Sequence, residues 1–298
     1  MLKILVLGCN GLIGSAILEK SIKFFDVIGT YHKNTIKIPE IKLISINLPE
    51  HIDQLSSLIR SEKPAVVVNT IANSNPEFCE FNKEYTYKLH VESLNEICSV
   101  CSKINSKLIF ISSDYVFDGK KGNYSENDVT GPLNYYGYTK VLTEKNVLKY
   151  SKNVVIRTSL VYGWNPKVKF LNFVLDNLRK QKTIHVYDNT CSPTLLDELV
   201  ETIIKIIPSD VSGIFHVVGS SCVSKFYFAK LIAKKFSMND ELIKLISVHD
   251  ANLKIKIPQN TCLDNTKIKK TFDITLSTIH EGLNKVFSQS QSSKTNFF

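Results

Sequence analysis

The chain has 298 residues, a formal net charge of +9 and 43% hydrophobic residues. This length allows one large α/β unit or two lobes, and no run of about 18 apolar residues suggests a membrane span. The N-terminus lacks the charged, apolar and small-residue pattern of a signal peptide, so we expect a soluble, cytoplasmic protein with no membrane partner.

The positive charge is spread evenly along the chain. There are 37 Lys and Arg residues against 28 Asp and Glu residues, a balance that favours anionic partners. The sequence shows no basic helix and no array of basic and aromatic residues, so we expect no nucleic-acid partner. A phosphorylated cofactor or a nucleotide-bearing substrate explains the charge more simply.

The seven cysteines are scattered along the chain. Their odd number predicts reduced thiols and not a disulfide framework. Cys98 and Cys101 form a CxxC motif, but it falls in a helical stretch and has no second ligand pair. We therefore interpret both as helix-packing residues and expect no catalytic metal.

A strand, a glycine loop and a helix open the chain. Apolar residues in 2–7 predict a buried parallel strand, and Gly8, Gly11 and Gly14 follow before an apolar helical stretch. A turn of this kind presents unpaired amide groups and the positive end of a helix dipole to a phosphate. Glycines also mark ordinary turns, but in this frame their spacing predicts a dinucleotide site.

The end of the second predicted strand, 25–30, indicates which dinucleotide binds. An acid there favours NAD because it binds the ribose 2′-hydroxyl, but this sequence continues with Tyr31, His32 and Lys33. His32 and Lys33 can take a 2′-phosphate, so we predict NADPH and keep NADH as an alternative. An ordinary solvated turn residue is the other interpretation of Lys33.

Further apolar runs alternate with amphipathic helices and predict a doubly wound parallel sheet of the Rossmann type. Asn69, Ala72 and Asn73 lie at the carboxyl end of the fourth run, where such sheets bind ligands. One long helix is predicted over 81–104. The predicted strands are 41–48, 65–71, 107–112 and 154–161.

The segment 132–140, PLNYYGYTK, opens a helix on which Tyr136 and Lys140 share a face. An ammonium beside a phenol favours the phenolate and lowers the phenol's pKa, which suits the pair to acid–base chemistry. Such pairs also occur on ordinary helix surfaces. After a dinucleotide-type strand set and a fifth strand that leads into Ser113, we take Tyr136 and Lys140 as the candidate catalytic pair.

Beyond residue 163 the pattern loosens. We predict a Rossmann domain over 1–163 and a mainly substrate-binding lobe over 164–298, with strands near 184–187 and 214–218 rejoining the first domain. Residues 288–298 include a Ser/Gln-rich stretch without apolar periodicity, which predicts a loose tail.

Several motifs together resemble the extended short-chain dehydrogenase/reductase superfamily and, within it, the dTDP-4-dehydrorhamnose reductases. Their order and spacing extend over nearly the whole chain. The motifs are GCNGLIG at 8–14, CE at 79–80, SSDYVFDG at 112–119, PLNYYGYTK at 132–140, VIRTSLVYG at 155–163, NF at 172–173, SPT at 192–194 with Asp197, and PQNTCLD at 258–264.

The resemblance implies that NADPH reduces the C4 ketone of a nucleotide-linked 6-deoxy-4-keto sugar, as in the biosynthesis of dTDP-rhamnose or a related deoxysugar. Tyr136 would donate a proton to the developing alkoxide and Ser113 would hydrogen-bond the carbonyl oxygen. Lys140 would lower the pKa of the tyrosine and hold the nicotinamide ribose.

The resemblance also implies two sets of binding residues. Cofactor contacts fall on Gly8, Asn10, Gly11, Leu12, Ile13, Gly14, Tyr31, His32, Lys33, Asn47, Leu48, Ala72 and Lys140. Substrate contacts fall on Asn73, Ser113, Asp114, Tyr115, Tyr136, Ser192 and Thr194.

Some positions depart from the family pattern. Asn47 stands in place of an aspartate near the adenine, His90 in place of an asparagine of the long helix, Leu160 in place of a tryptophan beside the sugar, and Ile257 in place of an arginine.

Because of these changes, we keep two alternatives open. One is a nucleotide-sugar epimerase or dehydratase that recycles NAD, and the other is a non-catalytic NADP-binding protein like the regulatory subunit of methionine adenosyltransferase. For the assembly, we consider a homodimer.

Overall fold

The computed structural model describes residues 1–33, 41–247 and 253–292. The chain forms two compact units, each built from several segments. Unit 1 comprises Met1–Val116, Asn134–Arg157 and Val200–Phe215, and unit 2 comprises Phe117–Leu133, Thr158–Leu199 and His216–Phe298. A single boundary at residue 163 does not describe this division, because the chain returns to unit 1 twice.

Strands and helices alternate through the first half of the chain, as the apolar runs predict. The strands are β1 Lys3–Leu7, β2 Asp26–Tyr31, β3 Lys42–Ser45, β4 Val66–Asn69, β5 Lys107–Ser113, β6 Val154–Thr158, β7 Val161–Tyr162, β8 Ile184–Tyr187, β9 Thr190–Cys191, β10 Thr194–Leu195, β11 Gly213–His216, β12 Val223–Ser224 and β13 Ile243–Ile246. The α-helices are α1 Leu12–Ser21, α2 Ile52–Glu62, α3 Pro76–Phe81, α4 Lys83–Tyr87, α5 Ser93–Lys103, α6 Tyr135–Val147, α7 Lys169–Arg179, α8 Leu196–Ile206, α9 Lys225–Lys235, α10 Thr266–Phe272 and α11 Ile279–Ser292.

Seven strands form the parallel sheet in the order β11-β6-β5-β4-β1-β2-β3, which confirms the predicted Rossmann-type fold. In β1, Leu5 pairs with Ile28 of β2 on one side and with Val67 of β4 on the other. The strand order reverses between β1 and β4, and the carboxyl ends at such a reversal form the crevice in which these sheets bind ligands.

The core of unit 1 explains the cysteine pair of the CxxC motif. Cys98 and Cys101 are buried in α5 and pack in one apolar cluster with residues such as Leu5, Leu55 and Phe110. Burial raises the pKa of each thiol to about 12, so both remain protonated at neutral pH. Helix packing, as predicted from the sequence, is the role that the structure shows.

The long helix predicted over 81–104 is interrupted twice. Asn82 leaves helical geometry with φ −128° and separates α3 from α4. A π-helical turn, Lys88–Glu92, then joins α4 to α5. Such a turn has one extra residue relative to an α-helix, and the apolar periodicity of the sequence does not reveal it.

Two predictions about later segments are wrong. Strand β8 does not rejoin the large sheet, since its residues pair with β13 from Ile184 and Ile243 onward. The residues 288–292 are not a loose tail but the end of α11, because Ile279, Leu283 and Val286 recur at helical spacing and are buried. Residues 293–298 lie outside the described part of the chain. By contrast, β11 does join the large sheet as predicted.

The prediction of seven reduced thiols is also wrong, because Cys222 and Cys262 form a disulfide in unit 2. Their Cα atoms lie 5.5 Å apart, a separation that a disulfide spans. Strand β12 pairs with β9 beside Cys222, and Thr190 of β9 donates its amide to the Gln259 carbonyl, so two segments distant in sequence become neighbours. The other five cysteines are buried and lie outside this disulfide.

None of the helices formed by residues 1–33, 41–247 and 253–292 combines the length and the apolar character needed to cross a bilayer.

Candidate active site

The glycine loop forms a compact turn between β1 and α1. Gly8 adopts φ +77°, a conformation that favours glycine, and accepts a 2.9 Å hydrogen bond from the Gly11 amide. A Cβ atom at Gly14 would collide with the Gly8 carbonyl oxygen and lie 2.7 Å from Thr70 Oγ1. Gly11 occupies the N-cap of α1 and has no side chain to cap the helix, so the first-turn amides suit a phosphate.

The predicted adenosine-binding residues lie beside this loop. Asn10 Nδ2 donates to the Lys33 carbonyl at 2.9 Å, and Ser45 Oγ donates to the His32 carbonyl at 3.3 Å. These two bonds hold the backbone after β2, while the side chains of His32 and Lys33 remain exposed. The backbone of Lys33 is therefore held against the glycine loop. Contact of the His32 and Lys33 side chains with a 2′-phosphate stays a prediction.

The other predicted cofactor residues follow β3 and β4. Asn47 is half-buried and donates its amide to His51 Nδ1, whereas the side chain of Leu48 belongs to the apolar core. Ala72 follows β4 at the carboxyl edge of the sheet. Cofactor contact at Asn47, Leu48 and Ala72 stays a prediction.

The first turn of α6 positions the candidate proton donor. Asn134 caps the helix, with Oδ1 accepting from the Gly137 amide at 3.0 Å, and Glu80 Oε2 accepts from the Tyr135 amide at 2.8 Å. Tyr136 lies between these capped positions and is buried, 8% exposed. The amides of the first turn thus have partners, and the tyrosine is held at a fixed place.

The buried phenol of Tyr136 lies close enough to the Ser113 hydroxyl for that hydroxyl to favour its phenolate form. Ser113 Oγ in turn donates to Asp114 Oδ1 at 3.0 Å and accepts from the Tyr115 amide at 3.2 Å. The ring of Tyr115 packs edge-on against that of Tyr136, with centroids 5.9 Å apart. The structure therefore brings together four residues from two separate motifs, as predicted.

Lys140 lies one turn after Tyr136 and is 3% exposed. Its ammonium donates to the Ile111 carbonyl at 2.9 Å and lies 5.8 Å from the Tyr136 ring centroid. Burial lowers the pKa of Lys140 to about 8, with a smaller opposing effect from Glu144. The lysine is thus close to the phenol but is directed to a backbone carbonyl of β5.

The pKa of Tyr136 differs in direction from the sequence-based expectation. Burial raises the pKa of this phenol above its ordinary value, and the nearby Ser113 hydroxyl opposes the rise. Desolvation dominates because the hydroxyl lies inside the protein. At neutral pH the phenol therefore carries its proton, the form that a proton donor needs.

A buried ion pair lies one further turn along α6. Arg157 of β6 donates from Nε and Nη2 to the two carboxylate oxygens of Glu144, at 3.0 and 2.7 Å, and Ser112 Oγ also donates to Glu144. Both charged side chains are under 5% exposed, at 3% and 4%. This network connects the helix that bears Tyr136 and Lys140 to strands β5 and β6.

Asn73 is held at both its backbone and its side chain. Its amide donates to His90 Nε2 at 3.0 Å, and its Oδ1 accepts from the Asn75 amide at 3.0 Å. The ring of His90 lies edge-on to the Tyr136 ring, with centroids 6.1 Å apart. His90 thus links Asn73 to the neighbourhood of Tyr136.

Ser192 and Thr194 belong to unit 2 and are buried, 2% and 1% exposed. Ser192 Oγ accepts from the Leu263 amide at 3.1 Å, and Thr194 Oγ1 takes part in a 3.2 Å hydrogen bond with Thr158 Oγ1. Both hydroxyls therefore stabilise the turn before α8. Substrate contact at Ser192 and Thr194 stays a prediction.

Sequence reasoning missed several supporting residues, although some left a signal. A single arginine, Arg157, interrupts the apolar run of β6, and a charge in a buried strand indicates a buried partner. Glu80 belongs to the CE motif at 79–80, which the resemblance uses without giving it a role, and Thr70 left no signal. Their roles depend on which backbone groups the fold places beside them.

A Rossmann sheet, a glycine loop at its first crossover and a buried set of Ser113, Tyr136 and Lys140 together define a short-chain dehydrogenase/reductase. A family profile described as the RmlD substrate binding domain matches residues 2–292. The chain belongs to this family.

Individual relatives extend over most of the chain. The dTDP-4-dehydrorhamnose reductase of Aggregatibacter actinomycetemcomitans is 29% identical over 291 residues, which cover 92% of this chain and 94% of the relative. Methionine adenosyltransferase 2 subunit beta of Pongo abelii is 28% identical over 284 residues, or 90% of this chain and 81% of the relative. The crystal structure of dTDP-4-dehydrorhamnose reductase from Bacillus anthracis str. Ames, in complex with NADP, has the same fold, with a TM-score of 0.87, 22% identity and coverage of 96% and 99%.

Proposed function

We propose that this protein is an NADPH-dependent reductase of the C4 ketone of a nucleotide-linked 6-deoxy-4-keto sugar, in dTDP-rhamnose or related deoxysugar biosynthesis. The observation that carries the proposal is the buried pair of Tyr136 and Lys140, with the Lys140 ammonium 5.8 Å from the Tyr136 ring centroid. The name of the Aggregatibacter relative supports this substrate class.

The residues of the site have the chemistry that ketone reduction needs. NADPH, when bound, supplies the hydride that the carbonyl carbon accepts. Tyr136 donates its phenolic proton to the developing alkoxide, and the Ser113 hydroxyl donates a hydrogen bond to the same oxygen. The ammonium of Lys140 favours the phenolate that remains on Tyr136, because opposite charges attract strongly in a buried site.

Features of the glycine loop and of the end of β2 support the choice of NADPH. The loop excludes a side chain at Gly14 and leaves the first-turn amides of α1 for the pyrophosphate. The exposed side chains of His32 and Lys33 follow β2, where a 2′-phosphate would meet them. We expect NADPH to bind more tightly than NADH, and titration of the protein with each cofactor by calorimetry tests this order.

A panel of nucleotide-linked 4-keto sugars tests the reaction itself. With NADPH present, we expect loss of its absorbance with at least one panel member, the corresponding reduced sugar as product, and no loss with control nucleotide sugars that lack a 4-ketone. Oxidation of no NADPH on any member, together with tight NADPH binding, would favour the non-catalytic alternative that the Pongo abelii relative represents. Retention of NAD through gel filtration, with rejection of NADPH, would favour an epimerase or dehydratase.

The proposal extends to location and assembly. We propose that the protein acts in the cytoplasm as a homodimer. Light scattering after size-exclusion chromatography measures the assembly, and a mass near the 33.7 kDa of one chain would exclude the dimer.

A further inference from the structure

His90 is buried in the π-helical turn Lys88–Glu92, and both of its ring nitrogens have partners within unit 1. The Asn73 amide donates to Nε2 at 3.0 Å, and Nδ1 lies 3.0 Å from Thr139 Oγ1. Because Nε2 accepts a hydrogen bond from an amide, it carries no proton. The proton of the neutral ring is therefore on Nδ1, from which it is donated to Thr139.

The contact with Thr139 continues to the proton donor. Thr139 Oγ1 donates to the carbonyl of Tyr136 at 2.9 Å, so the first turn of α6 is linked to His90 through one hydroxyl. Thr143 adds a second connection, since its hydroxyl donates to the His90 carbonyl at 3.0 Å. The side chain and the backbone of His90 are thus both attached to α6.

The other nitrogen fixes the segment that follows β4. Asn73 lies at the carboxyl edge of the sheet, and Cys79 Sγ donates to its carbonyl at 3.4 Å. With its amide on His90 and its Oδ1 on Asn75, this residue has a defined backbone and a defined side-chain orientation. A substrate that contacts Asn73 therefore meets a preorganised group.

The ring is well suited to remain neutral. Burial and, to a smaller extent, the nearby ammonium of Lys140 together lower the pKa of His90 to about 3, while Tyr136 contacts the ring without a charge. Because neither nitrogen exchanges a proton in this arrangement, His90 does not serve as a proton relay.

We propose that His90 is a positioning residue with two separable tasks: Nε2 places Asn73 for substrate binding, and Nδ1, through Thr139, places Tyr136 for proton transfer. The inference rests on the proposed reductase function. It predicts that the two tasks affect different kinetic constants, which a purely structural role would not.

Two amide substitutions separate the tasks. The amide of asparagine reaches about as far as Nδ1, and that of glutamine about as far as Nε2. His90→Asn keeps a donor for Thr139 but removes the acceptor for Asn73, so we expect KM for the keto sugar to rise about tenfold with kcat within about threefold of wild type. His90→Gln does the reverse, and we expect kcat to fall about tenfold with little change in KM.

Ser93→Ala is the matched control, because Ser93 Oγ donates to the Lys88 carbonyl at 2.9 Å in the same helical turn but contacts neither Asn73 nor Thr139. We expect its kcat and KM to equal those of wild type. The proposal is overturned if both His90 variants change kcat and KM by the same factor, or if Ser93→Ala reproduces their effects.

A measurement on the ring itself separates this proposal from the proposed function. Nitrogen NMR of the imidazoles, with the His90 signal identified by its loss in His90→Asn, is expected to show a neutral ring protonated on Nδ1 from about pH 5 to about pH 8. A charged ring, or a proton on Nε2, would overturn the positioning role even in an active enzyme. If the ring shows the expected tautomer but the protein reduces no keto sugar, the result supports the positioning role of His90 and rejects the reductase function.

Discussion

The two units of this protein are stabilised in different ways. Unit 1 is built on a seven-stranded parallel sheet, whereas the strand pairs β7 with β10, β9 with β12 and β8 with β13 of unit 2 form separate small sheets. In unit 2, single β-bridges such as that between Tyr124 and Leu263, together with the disulfide, connect segments far apart in the chain. The candidate catalytic residues therefore lie on a regular scaffold in unit 1, and unit 2 depends more on long-range cross-links.

The largest effect is expected at the site of unit 1. Tyr136→Phe removes the proton donor but keeps the ring that packs against Tyr115 and His90. We expect turnover to fall by roughly two to four orders of magnitude, the usual contribution of a general acid, with NADPH binding nearly unchanged. Steady-state kinetics and calorimetry measure the two quantities, and unchanged turnover would remove Tyr136 from its assigned role.

The buried ion pair of Arg157 and Glu144 allows the stability contribution of an ion pair in unit 1 to be compared with that of an ion pair in unit 2. Arg157→Met leaves the Glu144 carboxylate buried without its cation, and we expect the free energy of unfolding to fall by about 3–5 kcal/mol. The counterpart in unit 2 is Lys285→Met, which breaks a 2.8 Å pair with Glu198 in which the lysine side chain is 54% exposed. There we expect a loss of about 1 kcal/mol or less.

Denaturant unfolding of both variants tests this contrast. Equal losses in the free energy of unfolding for Arg157→Met and Lys285→Met would show that burial of the charges does not determine how much an ion pair contributes to stability.

Removal of the disulfide tests the dependence of unit 2 on cross-links. Cys222→Ser opens a loop between residues separated by 40 positions, and we expect a loss of about 2–4 kcal/mol in the free energy of unfolding. Cys191→Ser, at a buried cysteine of the same unit outside the disulfide, is the control for the chemical change alone. If wild-type protein under strong reductant keeps its full stability, the cross-link has no such role.

The pH dependence of the reaction is expected to follow Lys140, whose pKa burial lowers from 10.5 to about 8. As pH rises through this value the ammonium loses its proton, so we expect kcat/KM to fall by about tenfold per pH unit above it. Stability changes in the opposite direction. Between the folded and the unfolded pKa the unfolded chain binds more protons, so this residue makes the free energy of unfolding rise with pH from about 8 to 10.5.

Lys140→Met tests whether Lys140 causes the rise in stability with pH. We expect this variant to lose the rise in stability at alkaline pH, which denaturant unfolding at several pH values would detect. A rise of equal size in the variant would assign it to another group.

An element of the fold or of the candidate site can be predicted from the sequence when the residues that produce it lie within one short segment. Residues 2–14 predict β1, the glycine loop and α1 correctly, because a buried parallel strand and a phosphate-binding turn each need particular residue types at short spacing. The α6 pair is equally local, since helical geometry alone brings Tyr136 and Lys140 to one face. The partner of β8 and the pairing of Cys222 with Cys262 are not local, and nothing in their neighbourhoods distinguishes them from alternatives.

The amino-acid sequence by itself determined most strands of the large sheet, the glycine loop and the candidate pair of Tyr136 and Lys140, because these depend on periodicity and spacing within short segments. Only the tertiary structure decided how those groups behave. It buried Tyr136 so that its pKa is raised, although the sequence predicted a lowered value, and it gave His90 partners on two elements. Desolvation and hydrogen-bond partnership arise from residues that meet only after the chain has folded, and no local pattern encodes them.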